Sequence, residues 1–468
     1  MSFLSWTAVR LKHRFSTTFA LVSLATVTLL SGCAATPELA TVRQIPELMG
    51  AFKVDGLAVT AVAGDEVLVS SGFGVQANGD AFTSTSTCGL YSATKVLASL
   101  TYARLAQDGR IDLDAPLGEY LADAPDDWRE IPFFRLLNHT SGITMVVNKP
   151  EFGDIASNPQ AGNEDIYRMV RDAPLDYEPG QYSRYRQSGY AVGEVILENR
   201  LGTSFDALVE QYITVPAGMT STAHPSTSDK TQPPLLLSAG GYETTADNMA
   251  QLFLSLNNGA VIDASDWKNL LLDEAYVVND YSLGNITETR NGVLTLGHRG
   301  GGARANIRYA PDQKVGAMVC TDDTRNNELA ISLANMLIRE ITSGEIPQSP
   351  LLVALAGYEA MTGAEVVAAY KAAAVQGSRY DMADSEALLN RIGYSFLSRE
   401  QTRDAIDVFS LNAELFPASP NTHDSLGEAL LASGKPAAAL LRYRKALTLD
   451  PDSANARAMV EKIEAQNP

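Results

Sequence analysis

A serine and a lysine three positions apart, Ser92 and Lys95, are the residues of this 468-residue chain whose types and spacing most directly indicate chemistry. Three positions is nearly one helical turn, so both side chains would lie on one face of a helix. Val96 and Leu100 repeat at helical spacing, and Gly109 is a typical stop signal. The pattern predicts a helix with Ser92 at its N-terminus, where a desolvated lysine could accept the serine proton and the helix dipole favours a developing anion.

A second serine–lysine pair with the same spacing, Ser265 and Lys268, competes for this role. Ser265 or Asp266 could satisfy the first amides of a helix running through 269–272, which is a common function of these residue types. We interpret the second pair as a helix cap and assign the nucleophile to Ser92, because two further polar motifs follow the first pair in the order that acyl-serine chemistry requires.

Those motifs are Tyr-Arg-Gln-Ser-Gly-Tyr at 185–190 and His-Arg-Gly-Gly at 298–301. With them the chain resembles the serine hydrolases of the class C β-lactamase, D-alanyl-D-alanine peptidase and esterase type, whose motifs are S-x-x-K, Y-x-N and K-T-G or H-x-G. Framework strings at 105–114, 136–142 and 239–241 also stand in family order, and the resemblance covers roughly residues 50–340.

The resemblance implies a role for each matching residue. Ser92 would attack the carbonyl carbon of an ester or amide, and Lys95, with the phenol of Tyr185 in reach, would take its proton and pass it to the leaving group. The backbone N–H groups of Ser92 and Gly301 would form the oxyanion hole, and the glycines at 300–302 would let the backbone approach the substrate closely. The expected substrate-binding residues are Gln187, His298 and Gly300. No metal or other cofactor is required.

Two positions depart from the family pattern. Gln187 stands where the second motif usually has asparagine, and His298 stands where many members have lysine. A histidine is mostly neutral near pH 7, which favours esters or neutral amides over β-lactams, although Arg299 or Arg304 could restore a positive charge. His139, inside a framework string, is interpreted as a hydrogen-bonded turn residue and not as a general base.

The order of apolar runs predicts the fold. Strands are predicted at 57–62 and 66–70, joined as a hairpin, and again at 293–296, 305–309 and 315–320. Helices are predicted at 38–52 and 329–341, with a mostly helical stretch from 92 to about 270. This order indicates an α+β domain of the β-lactamase/transpeptidase type, in which the N- and C-terminal strands pair in one antiparallel sheet and the site lies where the sheet meets a helical subdomain.

After residue 345 the chain becomes alanine-rich and repeats with a period of 34 residues. Five pairs of similar residues share this offset: Gly393 and Gly427, Phe396 and Leu430, Ala405 and Ala439, Phe409 and Tyr443, and Pro417 and Pro451. These residue types resemble the tetratricopeptide pattern and predict an all-α module of helix pairs. The module could stabilise or dimerise the enzyme, and a protein or peptide partner is a second hypothesis.

The N-terminal residues predict export. Basic residues at 10–14 precede an apolar run from Phe19 to Leu30, and the string ending in Cys33 resembles the lipobox of bacterial lipoproteins. Cleavage before Cys33 would leave a diacylglyceryl cysteine as the membrane anchor. Because Ala34 and not aspartate follows, we expect a place in the bacterial cell envelope, on the periplasmic side of the outer membrane in a Gram-negative organism.

Composition narrows the expected partners. The net charge of −19 argues against nucleic acid and anionic lipid headgroups, because an acidic surface repels both. Export would permit a disulfide between Cys88 and Cys320, but both lie in apolar runs, so we favour two buried thiols. The five histidines are scattered without a metal-binding motif, and no metal site is predicted. The expected partners are a small-molecule or peptidoglycan-derived substrate and the membrane that holds the lipid anchor.

The predicted organisation is a signal peptide at 1–32, a lipidated tether at 33–45, a serine hydrolase domain at 46–345, a helical connector at 346–385, and two tetratricopeptide-like repeats with a capping helix at 386–468. The predicted function is hydrolysis of small esters or of D-amino-acid and peptidoglycan-related amides. The alternatives are a catalytically silent envelope scaffold and a β-lactamase or penicillin-binding activity proper. The complete set of Ser92, Lys95 and Tyr185 favours an enzyme, because a scaffold has no chemical reason to keep it.

A serine-directed fluorophosphonate distinguishes the two serine–lysine pairs. We expect it to label the wild-type protein and the Ser265→Ala variant, and to leave Ser92→Ala unlabelled, because an activated nucleophile is required for the reaction. Fluorescence of the purified proteins on a denaturing gel measures the outcome. Loss of labelling in Ser265→Ala alone would reverse the assignment.

Overall fold

The computed structural model describes residues 38–147, 149–227, 233–301, 304–321, 323, 328–451 and 453–466. The predicted signal peptide, the lipidation site Cys33, most of the tether and Gly302 lie outside the described residues. In the part of the chain that is described, no helix combines the length and the apolar character needed to cross a membrane.

Within the described residues, seven strands form an antiparallel sheet in the order β2-β1-β9-β8-β7-β6-β5. The strands are β1 (Gly56–Ala63), β2 (Glu66–Gly74), β5 (Tyr281–Ser282), β6 (Asn285–Arg290), β7 (Val293–Gly300), β8 (Ala305–Ala310) and β9 (Val315–Thr321), and two short strands, β3 (Cys88–Gly89) and β4 (Glu243–Thr244), pair separately. Pairing of β1 with β9 confirms the predicted junction of N- and C-terminal strands. Sequence patterns missed β5 and β6.

The sheet is covered on both faces, which explains why β1 and β9 read as continuous apolar runs. Leu57 and Val59 pack on one face with helices at both ends of the domain, whereas Ala58 and Val62 pack on the other face with the helical subdomain. The helices are α1 (Ala40–Phe52), α2 (Lys95–Gln107), α3 (Phe134–Leu137), α4 (Glu151–Ala156), α5 (Asn163–Arg171), α6 (Ser188–Leu201), α7 (Phe205–Val209), α8 (Val215–Ala217), α9 (Leu237–Gly240), α10 (Ala246–Asn257), α11 (Ala264–Leu271) and α12 (Leu329–Ser343).

The C-terminal part is an all-α module with its own apolar core, apart from a two-residue pairing of β10 (Ser349–Pro350) with β11 (Tyr380–Asp381). Its helices are α13 (Leu351–Ala354), α14 (Gly363–Val375), α15 (Ser385–Ser398), α16 (Thr402–Leu415), α17 (Pro420–Ala432), α18 (Pro436–Leu449) and α19 (Ala454–Gln466). A Cβ at Gly393 would lie 2.4 Å from the Phe409 ring, and one at Gly427 would lie 3.1 Å from the Tyr443 ring. Residues 34 positions apart therefore make equivalent contacts, while assignment to the tetratricopeptide class stays a prediction.

Two local predictions are wrong. The cap of α11 is Asp263, whose carboxylate accepts hydrogen bonds from the amides of Ser265 and Asp266, so neither of those residues is itself the cap. The expected free thiols are joined: Cys88 and Cys320 form a disulfide with their Cα atoms 6.3 Å apart. It links the segment before Ser92 to β9, a pairing across 232 positions that local apolar patterns cannot reveal.

Replacing both cysteines by alanine should lower the free energy of unfolding by about 2–4 kcal/mol, because the cross-link restricts the unfolded chain. Urea denaturation of the oxidised wild type and of Cys88→Ala/Cys320→Ala measures the difference. A reductant should destabilise the wild type and leave the double variant unchanged. Equal stability of oxidised and reduced wild type would contradict a structural role for this bond.

Candidate active site

Ser92 lies in a tight turn that packs between the sheet and the helical subdomain. A single 3₁₀ turn spans Tyr91–Thr94, and α2 begins at Lys95, three residues later than the sequence suggested. Tyr91 adopts a left-handed backbone conformation with φ of 48°, and the Arg304 guanidinium donates a hydrogen bond of 3.0 Å to its hydroxyl. A Cβ at Gly300 would lie 2.0 Å from the Leu90 carbonyl oxygen, so glycine is what allows β7 to run against this turn.

A cavity of about 530 Å³ opens beside Ser92. It is lined by Ser92, Tyr185, Asn279, Asp280, Tyr281, Ile286, His298, Arg299, Gly300, Gly301, Glu328 and Ile331. Five of the predicted site residues therefore meet at one place, although they come from distant parts of the chain. Asn279, Asp280 and Glu328 have positive φ values, and left-handed residues other than glycine tend to cluster at functional sites.

Lys95 is fully buried beneath this cavity. Its ammonium donates a hydrogen bond to the carbonyl oxygen of Ala239, and Nζ lies 4.9 Å and 4.8 Å from the ring centroids of Tyr185 and Tyr190. Burial lowers the pKa of Lys95 to about 7, and the nearby charge of Glu194 opposes the decrease. A substantial fraction of the amine is therefore neutral at neutral pH and able to accept a proton.

Tyr185 stands at the mouth of the cavity with 41% of its surface exposed. Partial burial raises the pKa of Tyr185 to about 12, and its interaction with the Ser92 hydroxyl opposes the rise. The phenol thus keeps its proton in the pH range where Lys95 loses its own. This difference separates the two groups chemically: Lys95 is suited to accept a proton and Tyr185 to donate one.

Two buried histidines, His139 and His298, lie beside Tyr185. Burial, and then the charge of Lys95, hold the pKa values of His139 and His298 well below the usual range, so both imidazoles are neutral near pH 7. His139 has φ of 65° and accepts a hydrogen bond from the Arg186 amide at 3.2 Å, as a turn residue would. His298 Nδ1 faces the Arg299 carbonyl at 2.5 Å, which assigns the proton to Nδ1 and leaves Nε2 as an acceptor.

The two predicted oxyanion-hole residues both line the cavity. Ser92 belongs to the 3₁₀ turn, and Gly301 directly follows β7 with φ of 58°. A Cβ at Gly301 would lie 2.5 Å from the Tyr91 ring, so a larger residue would disturb both the backbone and the turn that holds the serine. The assignment of these amides to an oxyanion stays a prediction that the arrangement favours.

Gln187 is placed differently from the other predicted residues. It precedes α6 as the N-cap position, and it is not among the described residues that line the cavity. Its side-chain oxygen is buried and accepts no hydrogen bond from the described residues. Its substrate-binding role stays a prediction.

Sequence patterns missed a buried carboxylate behind the lysine. Glu194, in α6, accepts hydrogen bonds from the Ser238 amide at 2.7 Å, from the Ser238 hydroxyl and from the Asn163 side chain. Ser238 directly precedes Ala239, the residue whose carbonyl binds Lys95. Burial raises the pKa of Glu194 to about 8, whereas its hydrogen-bond donors favour the ionised form. The sequence feature that could have revealed this carboxylate is a single glutamate inside the apolar run 190–197.

The second serine–lysine pair lies elsewhere. Ser265 is exposed on α11 and donates a hydrogen bond to Asp263, and Lys268 forms an ion pair with Asp312 at 2.5 Å. Neither residue lines the cavity that holds Ser92, as far as the described residues define it.

Comparison with known proteins agrees with this geometry. The family model described as Beta-lactamase matches residues 42–339. Penicillin-binding protein 4 of Amycolatopsis lactamdurans is 30% identical over 185 residues, which cover 39% of this chain and 45% of that protein. A putative D-alanyl-D-alanine carboxypeptidase of Escherichia coli K12 is 28% identical over 144 residues, covering 28% of this chain and 32% of that protein. The matches thus span less than half the length of these relatives.

Among solved structures, a D-stereospecific amidohydrolase from Streptomyces sp. superimposes with a TM-score of 0.53 at 20% sequence identity. The superposition covers 66% of this chain and 100% of that one. At this level of identity the similarity establishes the shared fold.

The pH dependence of acylation should report the protonation state of Lys95. Since its pKa is lowered to about 7 and the neutral form accepts the proton, labelling of Ser92 should rise between about pH 6 and pH 8 and then level off. Hydrogen bonds from Ser238 and Asn163 favour the ionised form of Glu194, and its charge raises the pKa of Lys95, so Glu194→Gln should shift this rise to lower pH.

Glu198→Gln is the matched control, because Glu198 lies one turn farther along α6 and is half-buried. It should leave the midpoint of labelling near that of the wild type. Labelling rates measured across the pH range, with circular dichroism to verify folding, test both variants. An unchanged midpoint in folded Glu194→Gln would show that Glu194 does not act on Lys95.

Proposed function

Because the chain belongs to the β-lactamase family, we propose that it is a serine hydrolase that cleaves ester or amide bonds through an acyl-enzyme on Ser92. The observation that supports this most directly is the buried Lys95 beside the serine turn, with a pKa near neutrality. A lysine kept neutral by desolvation is a base, whereas a solvated lysine at pH 7 is not.

The geometry supports the following acylation step. Lys95 accepts the proton of Ser92 while the serine oxygen attacks the carbonyl carbon, and the amides of Ser92 and Gly301 stabilise the resulting oxyanion. When the tetrahedral intermediate collapses, the bond to the leaving group breaks and the proton returns to that group. Tyr185, which stays protonated, is placed to deliver it and can be reprotonated by Lys95.

Deacylation reverses the same proton movements. Water attacks the acyl carbonyl, Lys95 with Tyr185 removes its proton, and the Ser92 oxygen leaves and is reprotonated. Both half-reactions need the oxyanion site. Neither half-reaction requires a charge on His298 or His139.

The expected substrates are small esters or amides of the D-amino-acid and peptidoglycan-related class. Relatives whose names indicate carboxypeptidase and amidohydrolase activities support this class. The neutral His298 favours substrates without a carboxylate at that position, while the exposed Arg299 at the cavity rim offers a cation to substrates that have one. We therefore place β-lactams second to esters and simple amides.

A catalytically silent scaffold is the alternative from another functional class. The observation in its favour is the helical module, because repeats of this kind commonly bind other proteins. Lipid anchoring at Cys33 and a place in the cell envelope fit both hypotheses. This location would bring an enzyme to peptidoglycan fragments and a scaffold to envelope partners.

A substrate panel distinguishes these possibilities. Nitrophenyl esters, D-amino-acid amides and nitrocefin should be offered to the wild type and to Lys95→Met, which removes the base but keeps an apolar side chain of similar length. We expect ester and D-amide turnover in the wild type, and a rate at least about a thousandfold lower in Lys95→Met. Absence of turnover and of Ser92 labelling in the wild type would favour the scaffold.

A further inference from the structure

A second cavity, of about 270 Å³, lies between the hydrolase domain and the helical module. Its walls are one face of α12, the hairpin that joins β6 to β7, and the first part of α15 with the segment before it. Clefts at the boundary between two folding units are common ligand sites, and this one uses residues from both.

The second cavity adjoins the catalytic cavity. Glu328 and Ile331 line both of them. Glu328 has a left-handed backbone with φ of 57° and forms an ion pair of 3.0 Å with Arg391 of α15. The module is therefore attached to the hydrolase domain at a residue that borders both cavities, and α12 extends from this border along the second cavity.

The side chains that line the second cavity indicate which class of ligand it can bind. The polar side chains Ser332, Asn335 and Thr342 line it from α12. The apolar side chains Val293 of β7 and Leu388 of α15 line it from the other sides. Hydroxyl and carboxamide groups can exchange hydrogen bonds with backbone amides, whereas a hydrocarbon chain would leave them without partners. The apolar side chains can contact every second side chain of an extended peptide, because these point to the same face.

Arg339 and Arg290, which line the second cavity, are each paired within the protein, and Asp381 and Asp384 add negative charge to its lining. Arg339 meets Glu345 at 3.1 Å, and Arg290 meets Glu288 at 2.7 Å. A strongly anionic ligand would have to break such pairs or approach Asp381 and Asp384. A peptide-like chain of mixed polarity would not.

We propose that this groove, defined by α12, the β6–β7 hairpin and α15, binds the part of a peptide-like substrate that extends away from the bond cleaved at Ser92. The helical module then forms one wall of the substrate site, and the protein prefers extended peptides over minimal esters. This inference rests on the proposed hydrolase function. From Ile331 to Thr342 the helix rises about 16 Å, which corresponds to about five extended residues.

A ladder of substrates tests the proposal. Two series with the same D-amino-acid scissile bond, one lengthened on the acyl side and one on the leaving-group side, run from one to seven residues. In the wild type, kcat/KM should rise at least about tenfold in one of the series and stop rising at about five added residues. The shortest substrate measures the hydrolase activity itself.

Asn335→Trp and Ser332→Trp fill the groove from α12 without touching Ser92, Lys95 or Tyr185. Each should abolish the gain from added residues and leave kcat/KM for the shortest substrate within about twofold of the wild type. Lys371→Trp, on the exposed surface of α14 away from the groove, is the matched control and should keep the full gain. Retained turnover of the shortest substrate shows that each variant is folded.

The outcomes separate this inference from the function on which it rests. A flat dependence on length in an active wild type, or a gain that persists in both groove variants, overturns the groove and leaves the hydrolase intact. Failure of every substrate together with failure of Ser92 labelling overturns the hydrolase, and the groove proposal with it.

Discussion

Desolvation of Lys95 is the physical constraint on which the rest of the site depends. Lowering its pKa from 10.5 to about 7 corresponds to about 5 kcal/mol of relative preference for the neutral amine. Such a preference requires a dry, rigid environment, which two tyrosine rings and the Ala239 carbonyl supply. The same environment keeps both neighbouring histidines neutral, so the proposed mechanism assigns proton transfer near pH 7 to Lys95 and Tyr185.

The fold provides this environment by packing the serine turn between β7 and the helical subdomain. Gly300 allows the close approach of β7, and the disulfide of Cys88 with Cys320 ties the preceding segment to β9. Glu194 supports the opposite side, since it holds Ser238 and thereby the carbonyl that binds Lys95. Lys95 and the serine turn are thus positioned by contacts from the sheet, from α6 and from α9.

Sequence reasoning predicted what local spacing encodes. The Ser92 and Lys95 pair, the β1–β2 hairpin, the pairing of β1 with β9 and the 34-residue repeat all follow from periodicity and ordered motifs. It missed what depends on distant partners: the disulfide, the role of Glu194 and the contact of Arg391 with Glu328 each join residues that no short pattern links. It also misplaced the α11 cap by two or three residues, because Asp263, Ser265 and Asp266 have similar capping propensities and only the backbone geometry selects among them.

The predicted catalytic residues alone do not define the substrate, and the helical module lies where further substrate contacts can form. A neutral His298 removes one fixed charge from the cavity, so recognition must come from elsewhere, and the exposed Arg299 is free to be solvated by water. Exposed charges contribute little binding energy, whereas contacts in a partly enclosed groove gain from removal of water. The walls that the chain can supply for such contacts are α12 and the module, and this is the physical reason to expect selectivity for length rather than for charge.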